Sequence, residues 1–532
     1  MMAVLLMAAC TKGIEVGDIP QLDYASVSFS SPSAVFPMEG GEKTIFVVSN
    51  REDWEVECDA DWLDISVEEH SLTFFVDPNN TKDSRMAVIE VVAGTDPDMA
   101  RARFKLFQTG LSMTDLSAAG KANCYIAQTG GSYRFDASVK GTGSNDGNSF
   151  YINYHGGRIK GAAYADLVWE STFDADKTRS TDIISGYPVY SPEEKAVYFS
   201  TGNVEGNASI CVCDGEGRIL WSWHIWVTDS PVSVSKANGL EWMDRNLGAL
   251  NNEPGNLANR GMLYQWGRKD PFLPSCAPYV NVPTHKYDEE YNVLETEEEY
   301  NAIQALIEQV REKVNILNTQ TGNGFGKWTY VGEPAPVAIQ APGNIEYSVQ
   351  NPTTLLGCRV DVPIGEYVFD WYLQQDLQGS GGALMQSKSE LWGKADAGTA
   401  YKSMFDPCPA GYAVPPRGAF ADIPNDYACS FVDREWTDAE CGWNWNGMHF
   451  PSAGNMDVSG LIGETGERML YWTAETFGSG VEGYGKAATL FVAFNDVYYG
   501  IYPLLDQAQA GSWYSYGARC YAASVRCVKY NN

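Results

Sequence analysis

The chain has 532 residues, too many for one ordinary hydrophobic core, so two to four domains are expected. Its 68 acidic against 37 basic residues leave a net charge of -31, a surface that repels phosphate backbones and argues against nucleic acid as a partner. Aromatic residues make up 13% and Gly (52) outnumbers Pro (25), which favours β-rich domains with many turns over helical ones.

The first ten residues, "MMAVLLMAAC", form an apolar run far too short to span a bilayer. Ala8 and Ala9 leading into Cys10 resemble the end of a bacterial lipoprotein signal. That resemblance implies lipidation at Cys10 and a lipid anchor in the outer membrane, facing the cell surface. The basic segment of such a signal is missing, so translation is expected to start upstream; the alternative is a disordered start with an incidental cysteine. Residues 11–25 are polar and unpatterned, as a tether is. Apart from Cys10 eleven cysteines remain, an odd number that leaves at least one free thiol. Cys58 is the candidate, because it follows Trp54 and Val56 at period two on a buried face. No CxxC pair has zinc spacing, and Cys211 and Cys213 point to the same side of one strand.

From residue 26 to 110 short strands alternate with turn clusters, the pattern of a small β-sandwich. The strands are "TIFVVS" (44–49), "WEVECD" (54–59), "LTFFVD" (72–77), "MAVIEVV" (86–92) and "RFKLFQ" (103–108). With its Trp-Leu, Asn-x-Thr, Arg and Gln-Thr-Gly landmarks the segment resembles a BACON domain, an Ig-like module of Bacteroidetes often found N-terminal to carbohydrate-active regions. The resemblance implies a carbohydrate-binding module or a spacer. Trp54 alternates with Val56 and is read as core, and Trp62 as a cap on the sandwich.

Residues 111–235 read as a second β-sandwich-like domain. "ANCYIAQTGGSYRFDASVKG" (122–141) is expected to be a hairpin, and "DLVWES", "AVYFST" and "NASICVCDGEGRILWSWHIWVTD" supply further strands. In the last of these, Trp221, Trp223 and Ile225 point one way and Leu220, Ser222, His224 and Trp226 the other. Both faces are bulky, which predicts a central strand covered on both sides rather than a sugar-stacking platform. His224 is expected to be a hydrogen-bonded core residue, not a metal ligand.

Residues 236–532 carry "GLEWMDRNLGAL", "GMLYQWGRKDPF", "FDPCPAGYAVPPRGAF", "HFPSAGN", "RMLYWTAE" and "ASVRCVKY" in order. This set resembles the Fibrobacter succinogenes major paralogous domain, which implies an α+β, C-type-lectin-like fold. Ala413 and Pro416 stand where that family has Arg and Thr. Cys408 and Cys527 fall in its cysteine-bearing motifs and are a candidate disulfide. A long insertion occupies about 274–402. Within it residues 296–318 predict a helix, with Thr296 and Glu299 as capping box, and the remainder is expected to be loop. The insertion is either a specificity element or a decoration.

No HExxH, GxSxG, P-loop or Rossmann pattern occurs, and the five histidines offer no i,i+4 pair. The chain is therefore expected not to be an enzyme, although a glycosidase carboxylate pair is defined by a cleft and leaves no sequence signature. Asp244, Arg245, Asn246, Gln265, Trp266, Arg268 and Asp270 are read as a structural lock on loops rather than as a polar pocket. "EPGN" (253–256) and "FND" (494–496) are read as turns; no metal or cofactor is assigned, calcium being unsupported. Trp328, Trp443, Trp445 and Trp513 lie in Gly- and Asn-rich loops and are the expected exposed, ligand-stacking aromatics. The expected function is capture of glycans or glycoproteins by a surface lipoprotein. A fimbrial tip or accessory subunit with pilin-like partners is the alternative, and a glycan-active enzyme the third.

Overall fold

The computed structural model describes residues 24–143, 156–172, 183–272, 329–331, 341–356, 371, 391–396, 399–416, 419–420, 442–456, 462–463, 468–476, 486–493, 501–503 and 516–530. The architecture is mainly β, built of several sheets in Ig-like sandwiches, with one short α-helix among the described residues.

The first domain contains β1 (Val27–Phe29), β2 (Ser33–Phe36), β3 (Gly41–Ser49), β4 (Trp54–Glu57), β5 (Leu63–Glu68), β6 (Ser71–Val76), β7 (Arg85–Thr95) and β8 (Asp98–Gln108). They form two facing sheets, ordered β1-β3-β6-β5 and β2-β8-β7-β4. The period-two pattern explains the layers. Ile45, Val47, Leu72, Phe74, Ile89, Val91, Phe104 and Leu106 are all buried between the sheets, each contributing roughly 1.5–3 kcal/mol of transfer free energy. Trp54, Val56 and Cys58 pack against that core from its margin, and Cys58 is a free thiol. Gly40 opens β3 at a φ of 75°, and a Cβ there would meet the Val76 carbonyl oxygen at 2.1 Å, so only glycine fits.

The second domain contains β9 (Thr114–Asp115), β10 (Cys124–Ala127), β11 (Ser132–Asp136), β12 (Tyr164–Ser171), β13 (Ile184–Ser191), β14 (Ala196–Thr201), β15 (Gly206–Cys213) and β16 (Ile219–Val227). Its sheets run β10-β16-β15-β12 and β13-β14-β11-β9. The stretch 122–141 is not the expected hairpin. β10 pairs in parallel with β16, whereas β11 pairs with β14 and β9 in the other sheet. The Gln128–Gly131 link carries the chain across the sandwich, so Tyr125 and Phe135 stack at 5.0 Å through the core. Alternation flanked by turn residues reads the same for two strands that pair and two that face each other.

The first two domains are fastened together. Phe107 packs with Val189, Ala196 and Tyr198, the Ser33 hydroxyl donates to the Tyr190 carbonyl, and Lys43 pairs with Glu193 at 3.1 Å.

In the C-terminal region Val528–Lys529 pairs with Leu240–Met243 and Tyr412–Ala413. A larger sheet is built around Leu263–Gln265, Ala522–Ser524, Arg468–Thr476 and Lys486–Ala493. Some of the region's apolar residues, among them Trp242, Trp445, Phe450 and Tyr471, close a small core of their own, and the rest join the second domain's core. One continuous cluster runs from Cys124 and Trp223 through Met262 and Trp472 to Cys527, crossing residue 236. The helix expected at 296–318 lies outside the described residues. The rest of the insertion is not plain loop, as expected, but includes α1 (Ala341–Gln350) and the paired strands Thr329–Val331 with Thr354–Leu356 and Gly393–Asp396 with Thr399–Lys402. Ile345, Val349, Leu355, Trp371 and Trp392 are buried in the shared core, which pins these segments.

Candidate functional site

The landmark polar residues of the first domain lock its loops. Arg85 lies over the Trp62 ring at 4.2 Å, donates through Nε to Gln108 Oε1 at 2.7 Å, and through Nη2 to the Asp77 carbonyl at 2.8 Å. Gln108 in turn donates to the Asp77 and Pro37 carbonyls. Asn79 donates to the carbonyls of Asp83 and Thr109 while its Oδ1 accepts from Thr81. These side chains satisfy backbone groups at one end of the sandwich, a structural use of every landmark.

β16 is central in its sheet and covered on both faces. Trp223 meets Phe135 at 4.9 Å inside the second domain's sandwich. The opposite face belongs to the boundary with the C-terminal region. Trp226 Nε1 donates to the Ala249 carbonyl, and Ser222 Oγ to Asp270 Oδ1 at 2.6 Å. Lys269 Nζ lies 2.6 Å from the same carboxylate oxygen and donates to the Ser222 carbonyl at 3.1 Å. Burial pushes the Lys269 ammonium below its ordinary range while Asp270 opposes that shift. Asn123, just before β10, donates to the Met404 and Asp406 carbonyls and accepts from Trp221 Nε1.

His224 lies in the same boundary. Asn207 Nδ2 donates to the Gly248 carbonyl, which turns its Oδ1 toward His224 Nε2 at 2.7 Å. Nε2 therefore carries the proton, and Nδ1 accepts from the Tyr264 hydroxyl at 3.0 Å. The neutral ring is fully satisfied, and burial pushes its pKa down to about 3.

The seven residues read as a loop lock are all buried. Arg245 holds Asp244 through two bonds and donates to the carbonyls of Leu250 and Pro231. Asn246 donates to the Arg260 carbonyl and the Tyr471 hydroxyl and accepts from Arg526 Nε at 3.0 Å. Gln265 donates to the carbonyls of Leu356 and Cys520, and Trp266 Nε1 to that of Thr473. Arg268 donates to the carbonyls of Ser348, Asn351, Pro352 and Thr354, closing the C-terminal end of α1. Burial lowers Arg268 and Arg526 to about 10, so both stay charged at neutral pH. Gly267, between Trp266 and Arg268 in the chain, has a φ of 85°, and a Cβ there would strike Leu391 at 2.6 Å.

Cys408 and Cys527 are joined in a disulfide. Beside it Lys402 and Asp406 form a buried pair, Asp406 also accepting from the Cys408 and Val414 amides at 2.8 and 3.0 Å. Burial pushes the Lys402 ammonium down and the Asp406 carboxyl up, each opposed by its partner.

The expected ligand-stacking residues fare differently. Trp445 is not exposed: at 5% exposure it packs edge-on to Trp242 at 5.7 Å and beside Phe450 at 6.0 Å. The Gly and Asn residues around it form the turn of a tight hairpin, which turns the indole inward. Trp328, Trp513 and Cys10 lie outside the described residues, as does the side chain of Trp443. Glu253–Asn256 is a turn, with Asn256 Nδ2 donating to Glu253. Among the described residues no group of three or more His, Cys, Asp or Glu could hold a metal ion, and no helix is long and apolar enough to cross a membrane.

Sequence reasoning missed the exposed aromatics of the first domain. Phe46 is 62% and Phe75 43% exposed on the outer face of the β3–β6 pair, with Val48 beside Phe46 and a Thr44–Thr73 hydroxyl pair between. The signal was the unbroken apolar run Ile45–Val48, half of which must face outward on a strand.

Residues 52–108 match a family model described as "BACON: Putative binding domain, N-terminal". No curated protein matches the chain. Among solved structures, a protein from Bacteroides thetaiotaomicron is 19% identical with a TM-score of 0.14, the match covering 16% of this chain and 86% of that one. The CupB2 chaperone of Pseudomonas aeruginosa is 14% identical with a TM-score of 0.18, covering 38% of this chain and 100% of the chaperone. Likenesses this weak carry no functional information. The N-terminal domain is BACON-like, and such a domain suggests a surface protein of Bacteroidetes.

Proposed function

We propose that the protein is a non-enzymatic, lipid-anchored surface protein that captures glycan or host-matrix ligands. The match of the first domain to a putative binding module carries the reading. The C-terminal region supports it in a second way: its buried charged side chains Arg245, Arg268, Lys269 and Lys402 are spent on internal partners, as a rigid scaffold for loops requires. Trp328, Trp443 and Trp513 are the proposed stacking residues, each ring adding about 1 kcal/mol.

Full-length protein passed over immobilised polysaccharides and mucins tests this. Retention without release of reducing ends supports binding. Substituting the three tryptophans by Ala is expected to weaken retention roughly 100-fold, three rings at about 1.4 kcal/mol per tenfold. Liberated reducing ends would establish an enzyme instead, and no retention on any surface would end the binding proposal.

A further inference from the structure

β15 carries two free cysteines, Cys211 and Cys213, whose sulfurs lie 3.6 Å apart. Cys213 is opposite Tyr164 and Cys211 opposite Asp166 on β12, so all four side chains share one face of the sheet. Ile210 and Val212 fill the core on the other face, leaving neither sulfur essential to it. The pairing with β16 slips between Val212 and Cys213, an irregularity of the kind that re-aims side chains. Two residues along a strand separate Cα atoms by about 6.6 Å, within the roughly 4.4–6.8 Å that a disulfide spans but near its upper end.

The two thiols are also unequal. A hydrogen bond from Cys211, followed by one from the Tyr164 hydroxyl, holds the Cys213 thiol below its ordinary range. The same contact, with burial, pushes Cys211 up. Both cysteines are buried, Cys213 at 4% exposure, beside the turn at Asp214–Gly217 whose residues 215–217 are exposed, so exchange requires that turn to open.

We propose that Cys211 and Cys213 are a reversible dithiol–disulfide couple that exchanges with an external disulfide of the glutathione type. The Cys213 thiolate attacks one sulfur of the oxidant, forming a mixed disulfide and releasing one thiolate. Cys211, deprotonated as it attacks, then bonds to Cys213 Sγ and expels the second thiolate. Two protein thiols are oxidised, one external disulfide is reduced to two thiols, and the two protons pass to the leaving sulfurs. A bond at the limit of disulfide geometry is readily reduced, so the couple is switchable rather than a permanent staple.

Cleavage after Lys195 and Arg218 yields a peptide containing these two cysteines and no others. Folded full-length protein, equilibrated in glutathione buffers of varied ratio, acid-quenched, alkylated and digested, is expected to show this peptide pass reversibly from a doubly alkylated form to an unalkylated one, two hydrogens lighter than the free dithiol. Cys211→Ser is expected to trap glutathione on Cys213, and Cys213→Ser to trap none at Cys211. Two alkylatable thiols in that peptide at every ratio, or a bridge formed only after unfolding, would overturn the proposal. If the serine variants do not fold, the wild-type titration alone decides.

Discussion

Replacing His224 by Gln tests the boundary between the second and C-terminal domains through its pH dependence. In the folded protein the imidazole is neutral, donates to Asn207 and accepts from Tyr264. Protonation would place a charge in a fully buried site, and that desolvation is why the pKa falls to about 3. An unfolded histidine titrates near 6.5. The folded value is the lower one, so the unfolded state takes up the proton first as pH falls. His224 therefore leaves stability unchanged above pH 6.5 and erodes it between 6.5 and 3. By pH 4.5 the loss reaches about 2.7 kcal/mol, two pH units at about 1.36 kcal/mol each. Carboxylates held low by ion pairs, such as Asp98 and Asp136, lose their contribution at more acid pH, and titrations elsewhere cancel in the difference between wild type and variant. Gln keeps one bond and loses the other, which costs about 1–3 kcal/mol at neutral pH. Denaturant unfolding followed by tryptophan fluorescence, at pH 7.5 and 4.5, supplies the comparison. The wild type is expected to lose about 2.7 kcal/mol more than His224→Gln between the two pH values. Equal losses would refute the assignment, and with it the buried, neutral histidine at this boundary.

Two further outcomes concern the loop around Asp406. The Cys408–Cys527 disulfide closes a loop of 119 residues, worth up to about 5 kcal/mol by chain entropy. The double serine variant is expected to melt well below the oxidised wild type, and dithiothreitol to lower the melting temperature of the wild type alone. Lys402→Met leaves Asp406 buried without its counter-ion and is expected to cost about 3–5 kcal/mol. Adding Asp406→Asn should recover part of that loss, as read by a double-mutant cycle of unfolding free energies.

Period two was enough to place the strands of the first domain, because a sheet with one buried face writes its register directly into alternation. Residues 72–76 and 86–92 show this, with Leu72, Phe74, Ile89 and Val91 inward. Strand partners were less legible. Residues 122–141 have the same alternation and turn residues a hairpin would have, and only the long-range pairing of β10 with β16 shows that they cross the sandwich. Bulk on both faces of residues 219–227 correctly implied a covered, central strand, but not what covered it. One face meets its own sandwich and the other the Tyr264, Asp270 and Ala249 positions of the C-terminal region.

The candidate site divides along the same physical line. Arg245, Asn246 and Arg268 were legible as loop locks because planar side chains with several donors satisfy several carbonyls at once. Trp445 was misread because a Gly- and Asn-rich neighbourhood marks the turn and not the direction of the indole. In a two-residue hairpin the flanking side chains alternate, and burial decides between them: Trp445 takes the inward side with Trp242 and Phe450. Phe46 was overlooked for the converse reason. Its run of four apolar residues masks the alternation, yet on a strand Ile45 and Val47 can face inward only if Phe46 and Val48 face out. Exposed aromatics in a β-protein are thus found where an apolar run exceeds what one face can bury, and loop composition is the weaker guide.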